Sequence, residues 1–413
     1  MPLPLFLPCA AGVESLLEAE VRTLLPDADV RAVRGGVALA GEPREVMRLN
    51  LESRLAQRVL IQVAEDAYRD EADLYALAHG VDWSEWLTTR QTLRVDTTAQ
   101  RSPLRSLNFA ALRVKDGVCD RMRDAHGERP NVDTVRPDLQ IVLHAGAERA
   151  AIYVDSSGES LFKRGWREDK GDAPLKETLA AAMLAAAGWQ GTPSAGGALH
   201  DPCCGSGTIA IEAAQIAMGI APGTLRRFAF ERLLPFSGAE LRAEMQRLRS
   251  KAKERVHPSQ VPIFASDVSF RMVDFARRNA ERAGVAGAIV FNGGDALERS
   301  APALPDDLQG TLMVNPPYGA RIDVAGKAAA PSADRDAPSD FFPRLAAHWK
   351  RAYTAHPAGW TAWILSPDMK LASAMRLKES RRVPMWNGPI ECRLFRFDLV
   401  AGSARSLSRP VEP

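Results

Sequence analysis

Four short stretches carry residue types that can do chemistry together. The first is Asp201-Pro-Cys-Cys-Gly-Ser-Gly-Thr208, set between a short apolar run and a helical stretch from Ile209 to Met218. Gly205 and Gly207 let the chain turn tightly and let a ligand approach the backbone. With Ala210 they fit G-x-G-x-x-A, a pattern of dinucleotide sites. Asp201 argues against a dinucleotide. A carboxylate at a strand end attracts a ligand ammonium, such as the methionine moiety of S-adenosylmethionine (SAM), and repels a pyrophosphate. Cys203 and Cys204 lie inside this loop. No histidine follows in a nucleophile pattern, so both read as small buried fillers.

The other three stretches follow in order. Asp267 ends the strand-like run Val261–Ser266, where a carboxylate can accept from both ribose hydroxyls of a nucleoside cofactor. Asp295, followed by Ala296, comes after the apolar run Ala288-Ile-Val-Phe and is placed to accept from an adenine amino group. Asn315-Pro316-Pro317-Tyr318-Gly319 follows Thr311-Leu-Met-Val. The prolines stiffen that loop. The Asn315 side-chain oxygen and the Pro316 carbonyl can both accept from one exocyclic amine, and Tyr318 can stack on the base that carries it. A base inside a duplex must first be flipped out.

The elements that position these residues are legible. After Gly196-Gly197, strand candidates at Ala198–His200, Val261–Ser266, Ala288–Asn292, Thr311–Val314 and Thr361–Leu365 alternate with helical stretches. That alternation predicts a mostly parallel, doubly wound α/β sheet. Each of the four motifs then sits at a strand's carboxyl end, where such sheets bind ligands. Two stretches interrupt the pattern: an arginine-rich, mostly helical insert at 217–257, and an Ala/Asp/Ser/Pro-rich loop at 324–339.

The first half reads differently. A strand at the start, a helix carrying Val13, Leu16, Leu17, Val21 and Leu24, and a turn into Val37–Leu39 form a small α+β unit to about residue 45. A helix is predicted from Val46 to Leu60. Strands at Thr92–Thr97, Gln140–Leu143 and Ala151–Val154, with a helix at Asn108–Met122, make a second α+β unit ending near Asp155. Between Arg90 and Arg136 there are ten basic residues against six acidic ones, and the bases are mostly arginine, the better phosphate clamp.

The bulk numbers exclude little. A chain of 413 residues is long enough for two or three domains, and 46% hydrophobic with 25% charged residues suits a globular protein. A net charge of +2 does not by itself demand a polyanion. Five scattered cysteines show no zinc-like spacing, and an odd count fits a reducing compartment. The apolar, proline-broken start reads as a strand rather than a signal peptide. No run of about 20 apolar residues predicts a membrane span. A cytoplasmic location without metal is the expectation.

The motifs resemble a known family. Residues 198–400 look like a Rossmann-like class I methyltransferase with an N-P-P-Y motif. The whole chain, with Gly12-Val-Glu-Ser-Leu-Leu, Ser53-Arg-Leu-Ala-Gln-Arg58, Leu74-Tyr75, Asp82-Trp83 and Pro174-Leu-Lys-Glu-Thr-Leu-Ala-Ala, resembles the THUMP-domain RNA methyltransferases. Within that family it is most similar to the N-terminal half of the bifunctional large-subunit rRNA methyltransferase. The resemblance implies a ferredoxin-like module at 1–45, an RNA-gripping THUMP domain at 46–155, a connecting segment at 156–197, a seven-stranded methyltransferase domain at 198–400 and a disordered tail at 401–413. It implies SAM as cofactor, held by Asp201, Gly205, Gly207, Thr208, Asp267, Asp295, Ala296 and Asn315. Asn315, Pro316, Pro317 and Tyr318 would hold the target guanine. Arg101, Arg105, Lys115, Arg164 and Lys176 would meet RNA, and Gly165 and Pro174 would meet SAM or RNA. The implied reaction is guanine-N2 methylation of 23S rRNA, free or in an assembling large subunit. The same reaction on tRNA, N6-adenine methylation, protein glutamine methylation and a non-catalytic assembly factor stay open.

Overall fold

The computed structural model describes residues 2–171, 174–316 and 340–400. Two compact units emerge. The first takes the chain up to Cys9, then Leu17–Lys163 and Ala221–Glu254. The second takes Ala10–Leu16, Arg164–Ile220 and the chain from Arg255 onward.

The first unit is built on an eight-stranded sheet. Its strands are β1 (Leu3–Pro8), β2 (Arg31–Val33), β3 (Gly36–Gly41), β4 (Leu60–Ala67), β5 (Thr92–Ala99), β6 (Asn131–Val132), β7 (Leu139–Ala145) and β8 (Arg149–Asp155), in the order β2-β3-β1-β4-β8-β7-β5-β6. β5 runs parallel to β7, and the long helix Leu107–His126 lies between them in sequence. Parallel neighbours need such a crossover. The helix opens at Ser106, whose hydroxyl accepts from the Phe109 N–H, and closes at left-handed Gly127.

One predicted helix is shorter than its periodicity. The stretch Val46–Leu60 is helical only as part of Pro43–Glu52. The reason is a tertiary contact: the Glu20 carboxylate accepts from the Ser53 hydroxyl at 2.6 Å and from the Arg54 N–H at 2.8 Å. These bonds draw the chain out of the helix, and Leu60 is then free to open β4.

The second unit holds a seven-stranded sheet: β9 (Ala198–Asp201), β10 (Ile263–Asp267), β11 (Ile289–Gly293), β12 (Gly310–Val314), β13 (Trp360–Ser366), β14 (Arg381–Asn387) and β15 (Ile390–Leu399). The order is β11-β10-β9-β12-β13-β15-β14. The first five run parallel, and β15 and β14 close the edge as an antiparallel hairpin. β12 and β13 are buried along their whole length, as uninterrupted apolar runs in a parallel sheet should be. Trp349, Tyr353 and Trp360 join Leu312, Val314, Phe395 and Phe397 in its core. The helix Glu177–Ala187 is apolar almost all round and correspondingly buried, and it stops at Gly188 in the left-handed region. From β9 the chain moves to one side through β10 and β11, then returns to the other side at β12. That reversal leaves a crevice at the carboxyl ends of β9 and β12.

Candidate cofactor and base site

A cavity of about 730 Å³ occupies that crevice. Its wall includes Asp201, Gly205, Ser206, Thr208, Asp267, Asp295, Ala296, Asn315 and Pro316. Four motifs spread between Asp201 and Pro316 thus meet in one place, because four parallel strands end there.

Local backbone geometry explains the loop. Gly205 and Gly207 have φ of +51° and +90°, the region that favours glycine. A Cβ on Gly207 would sit 3.0 Å from the Ala276 Cβ, so the loop lies close against the helix Phe270–Arg282. A Cβ on Gly205 would meet nothing within 4 Å. The first glycine gives room and the second gives close approach. The loop is tied to β10 by the Cys204 N–H donating to the Ser266 carbonyl at 2.9 Å.

The carboxylates differ in how they are held. Asp267 accepts from the Gly205 N–H and the Ser269 N–H, each at 2.9 Å, one per oxygen. A carboxylate has about four acceptor sites, so two remain for a ligand. Burial raises its pKa, partly offset by those two donors. Asp201 is 1% exposed and accepts from the Cys203 N–H through Oδ1. Burial pushes its carboxyl well above the usual range, and nearby Asp267 adds to the push. A cationic ligand group is what such a carboxyl lacks. Asp295 accepts from the Leu297 N–H at 2.9 Å. Burial and the surrounding acids raise both loop thiols, Cys203 and Cys204, far from thiolate character.

Asn315 is the outlier. Its side-chain oxygen is buried and finds no donor among the described residues. A buried amide oxygen left unpaired costs about 1–3 kcal/mol unless a ligand satisfies it. Pro317 and Tyr318, the second half of the same motif, lie outside the described residues, as do the 324–339 loop and the 401–413 tail.

Comparison with known proteins decides the family. Residues 164–396 match the description "RMKL-like, methyltransferase domain". The chain belongs to this RMKL-like methyltransferase family. Residues 68–155 match the THUMP domain and residues 4–60 the RlmL ferredoxin-like domain. The "Ribosomal RNA large subunit methyltransferase K/L" of Syntrophotalea carbinolica is 36% identical over all of this chain and 56% of its own length. The Aeromonas hydrophila protein of the same name is 35% identical over 97% of this chain and 55% of its own. The chain therefore spans about half the length of these relatives. The solved structure of SMU.472, described as complexed with SAH, superposes with a TM-score of 0.81 at 27% identity, covering 96% of this chain and 98% of that one. A Clostridium difficile structure gives 0.80 at 25%, covering 96% and 98%.

SAM is the cofactor of this family, and the RMKL-like cavity has the donor set for it. Three strand-end acids, an unobstructed glycine backbone and a volume suited to a nucleoside-sized ligand all fit. When bound, the cofactor supplies an electrophilic methyl group. Sequence reasoning missed other residues of the wall, among them Val268, Met272, Phe341, Asn387 and Ile390. Nothing in their own types marks them, since apolar lining looks like core and Asn387 belongs to no motif.

The residues expected at RNA differ in how they are held. Arg101 and Arg105 are exposed and make no ion pair among the described residues. Arg101 holds a left-handed φ of +55°. Lys115 is half-buried and paired with Asp116 at 2.5 Å. Lys176 is exposed at the start of the helix Glu177–Ala187. Arg164 corrects the expectation of an RNA contact. It is 2% exposed and gives its guanidinium to the fully buried Glu212, at 3.0 and 3.3 Å. A buried bidentate pair holds structure and presents nothing to a phosphate. Much of the basic excess at 90–136 is likewise spent in ion pairs, as with Arg123 and Arg129 on Asp120.

Proposed function

We propose that this chain transfers the methyl group of SAM to the exocyclic N2 amine of a guanine in 23S rRNA. The observation that carries the reading is the buried Asn315 oxygen, without a donor among the described residues, in the wall of a cavity that also gathers Asp201, Asp267 and Asp295. In this reading Asn315 Oδ1 and the Pro316 carbonyl accept the two amine hydrogens. The nitrogen lone pair is then turned out of the base plane. No strong base is required, because the amine loses its proton readily once methylated. Asp267 holds the ribose, Asp295 the adenine and Asp201 the ammonium. Tyr318 stacks on the flipped guanine. Arg101 and Arg105 grip the RNA backbone, as befits a THUMP-containing chain, and the K/L names of its relatives point to large-subunit rRNA. A cytoplasmic location goes with that substrate. Five free cysteines agree with a reducing compartment.

The test is transfer of radiolabel from SAM to total RNA of a strain lacking the gene, followed by nucleoside analysis. Label in N2-methylguanosine of the large-subunit fraction supports the reading. Label in tRNA or in N6-methyladenosine replaces the substrate. RNA binding without any transfer replaces the enzyme with an assembly factor.

A further inference from the structure

The segment that precedes the methyltransferase sheet sends one side chain to the cofactor loop. Arg167 lies against the Trp166 ring, 4.9 Å from its centroid. Its Nε donates to the buried Glu177 carboxylate at 2.7 Å. One terminal nitrogen donates to the Ser206 hydroxyl at 2.8 Å. The other donates to the Thr208 hydroxyl at 2.8 Å and to the Leu175 carbonyl at 3.3 Å. The Arg167 side chain is 13% exposed and its charge is balanced by Glu177.

A guanidinium only donates, so both hydroxyls must accept from it. Each keeps one proton of its own, and neither has an acceptor for that proton among the described residues. Ser206 and Thr208 are 6% and 5% exposed, and both line the cavity. A hydroxyl that accepts from Arg167 turns its own proton away from it. The fork thus presets two O–H donors at the first turn of the helix Thr208–Ala217, where backbone N–H groups also lack partners within the helix. This corner asks for an anion, as Asp201 asks for a cation. An amino-acid end carries both charges.

We propose that Arg167 is a positioning residue that sets Ser206 and Thr208 as hydroxyl donors to the carboxylate of the cofactor's amino-acid end. The proposal rests on the cavity being the SAM site. Calorimetry with two probes tests it: S-adenosylhomocysteine, which has the amino-acid end, and 5′-methylthioadenosine, which lacks it. Arg167→Gln should weaken S-adenosylhomocysteine about tenfold or more, the scale of lost hydrogen bonds to a charged group. Binding of 5′-methylthioadenosine should not change. Arg167→Lys keeps the charge without the planar fork and should not rescue. Should Arg167→Gln fail to fold, Ser206→Ala with Thr208→Val gives the same selective loss with Arg167 in place. Unchanged S-adenosylhomocysteine affinity overturns the proposal. So does an equal loss for both probes, which would mean loop collapse. If the unaltered protein binds neither probe, it is the cofactor site itself that fails.

Discussion

In the proposed reading Asn315 and Asp201 serve a chemical end and a binding end of the cavity, and their substitutions should separate accordingly. Asn315→Ala removes an acceptor that no described protein donor uses, so cofactor affinity should hold. Transfer should fall by about 10²–10³, the range for deleting one group that orients or stabilises a reacting centre. Single-turnover rates beside calorimetry of S-adenosylhomocysteine will show it, and equal rates would remove Asn315 from the chemistry. Asp201 makes a different prediction. Burial holds its carboxyl neutral well above the usual carboxylate range. A ligand ammonium favours the ionised form, so binding below the raised pKa must expel a proton and strengthen as pH rises. Calorimetry in buffers of different ionisation enthalpy measures that proton. Asp201→Asn should abolish its release, and an unaltered release would place it on another group.

Among the elements, the 164–175 connection shows where sequence reasoning stops. Parallel strands, glycine loop and strand-end acids were legible because each follows from periodicity or from residue type at a strand end. The partners of the connection were not. Asp169 takes hydrogen bonds from Arg278 and Arg282, and buried Asn279 donates to the Asp169 and Ser206 carbonyls, across 73 to 113 residues of chain. A polar residue in a basic stretch announces no such partner, and for the same reason Arg164 looked like an RNA contact. The Asp169 clamp has a pH signature. Hydrogen bonds from Arg278 and then Arg282 lower its pKa to about 2. The unfolded chain titrates near 3.9. With the folded value depressed, the stabilisation is complete above about pH 4 and is lost as pH falls towards 2. Urea midpoints should show Asp169→Asn less stable than the parent at pH 7, with the gap closing in that window. A gap that persists below it would mean the substitution acts by other means. In the first unit, Arg101 and Arg105 are exposed and make no ion pair among the described residues, which suits the proposed contact with RNA. Replacing both with Ala should weaken RNA binding and lower the salt slope by about two. An unchanged slope would take the loop out of the interface.

At the scale of the whole chain, sequence order and structural membership part company. The insert between β9 and β10 looks like an elaboration of the methyltransferase sheet, yet Ala221–Glu254 belongs to the first unit. Backbone bonds fix it there: Gly223 N–H to the Leu51 carbonyl at 2.9 Å, Phe230 N–H to Ser156 at 2.9 Å and Leu234 N–H to Trp86 at 3.1 Å. Arg226 adds bonds to the Ser157, Ser160 and Lys163 carbonyls. Phe228 stacks on Phe230 at 5.5 Å, Phe236 meets Phe230 tilted at 5.3 Å, and Phe230 is 1% exposed. No periodicity encodes this, because short turns and one helix say nothing of which core they cover. The consequence is measurable. Phe230→Ala should cost about 3–5 kcal/mol, as large-to-small core changes do. That loss should fall on the first unit. Hydrogen exchange should quicken across β4, β7 and β8, while the amides of β9, β10 and β12 and the affinity for S-adenosylhomocysteine stay as they were. If exchange instead quickens around the glycine loop and cofactor affinity drops, the insert is part of the methyltransferase after all. Its place in the sequence would then be the better guide than its bonds.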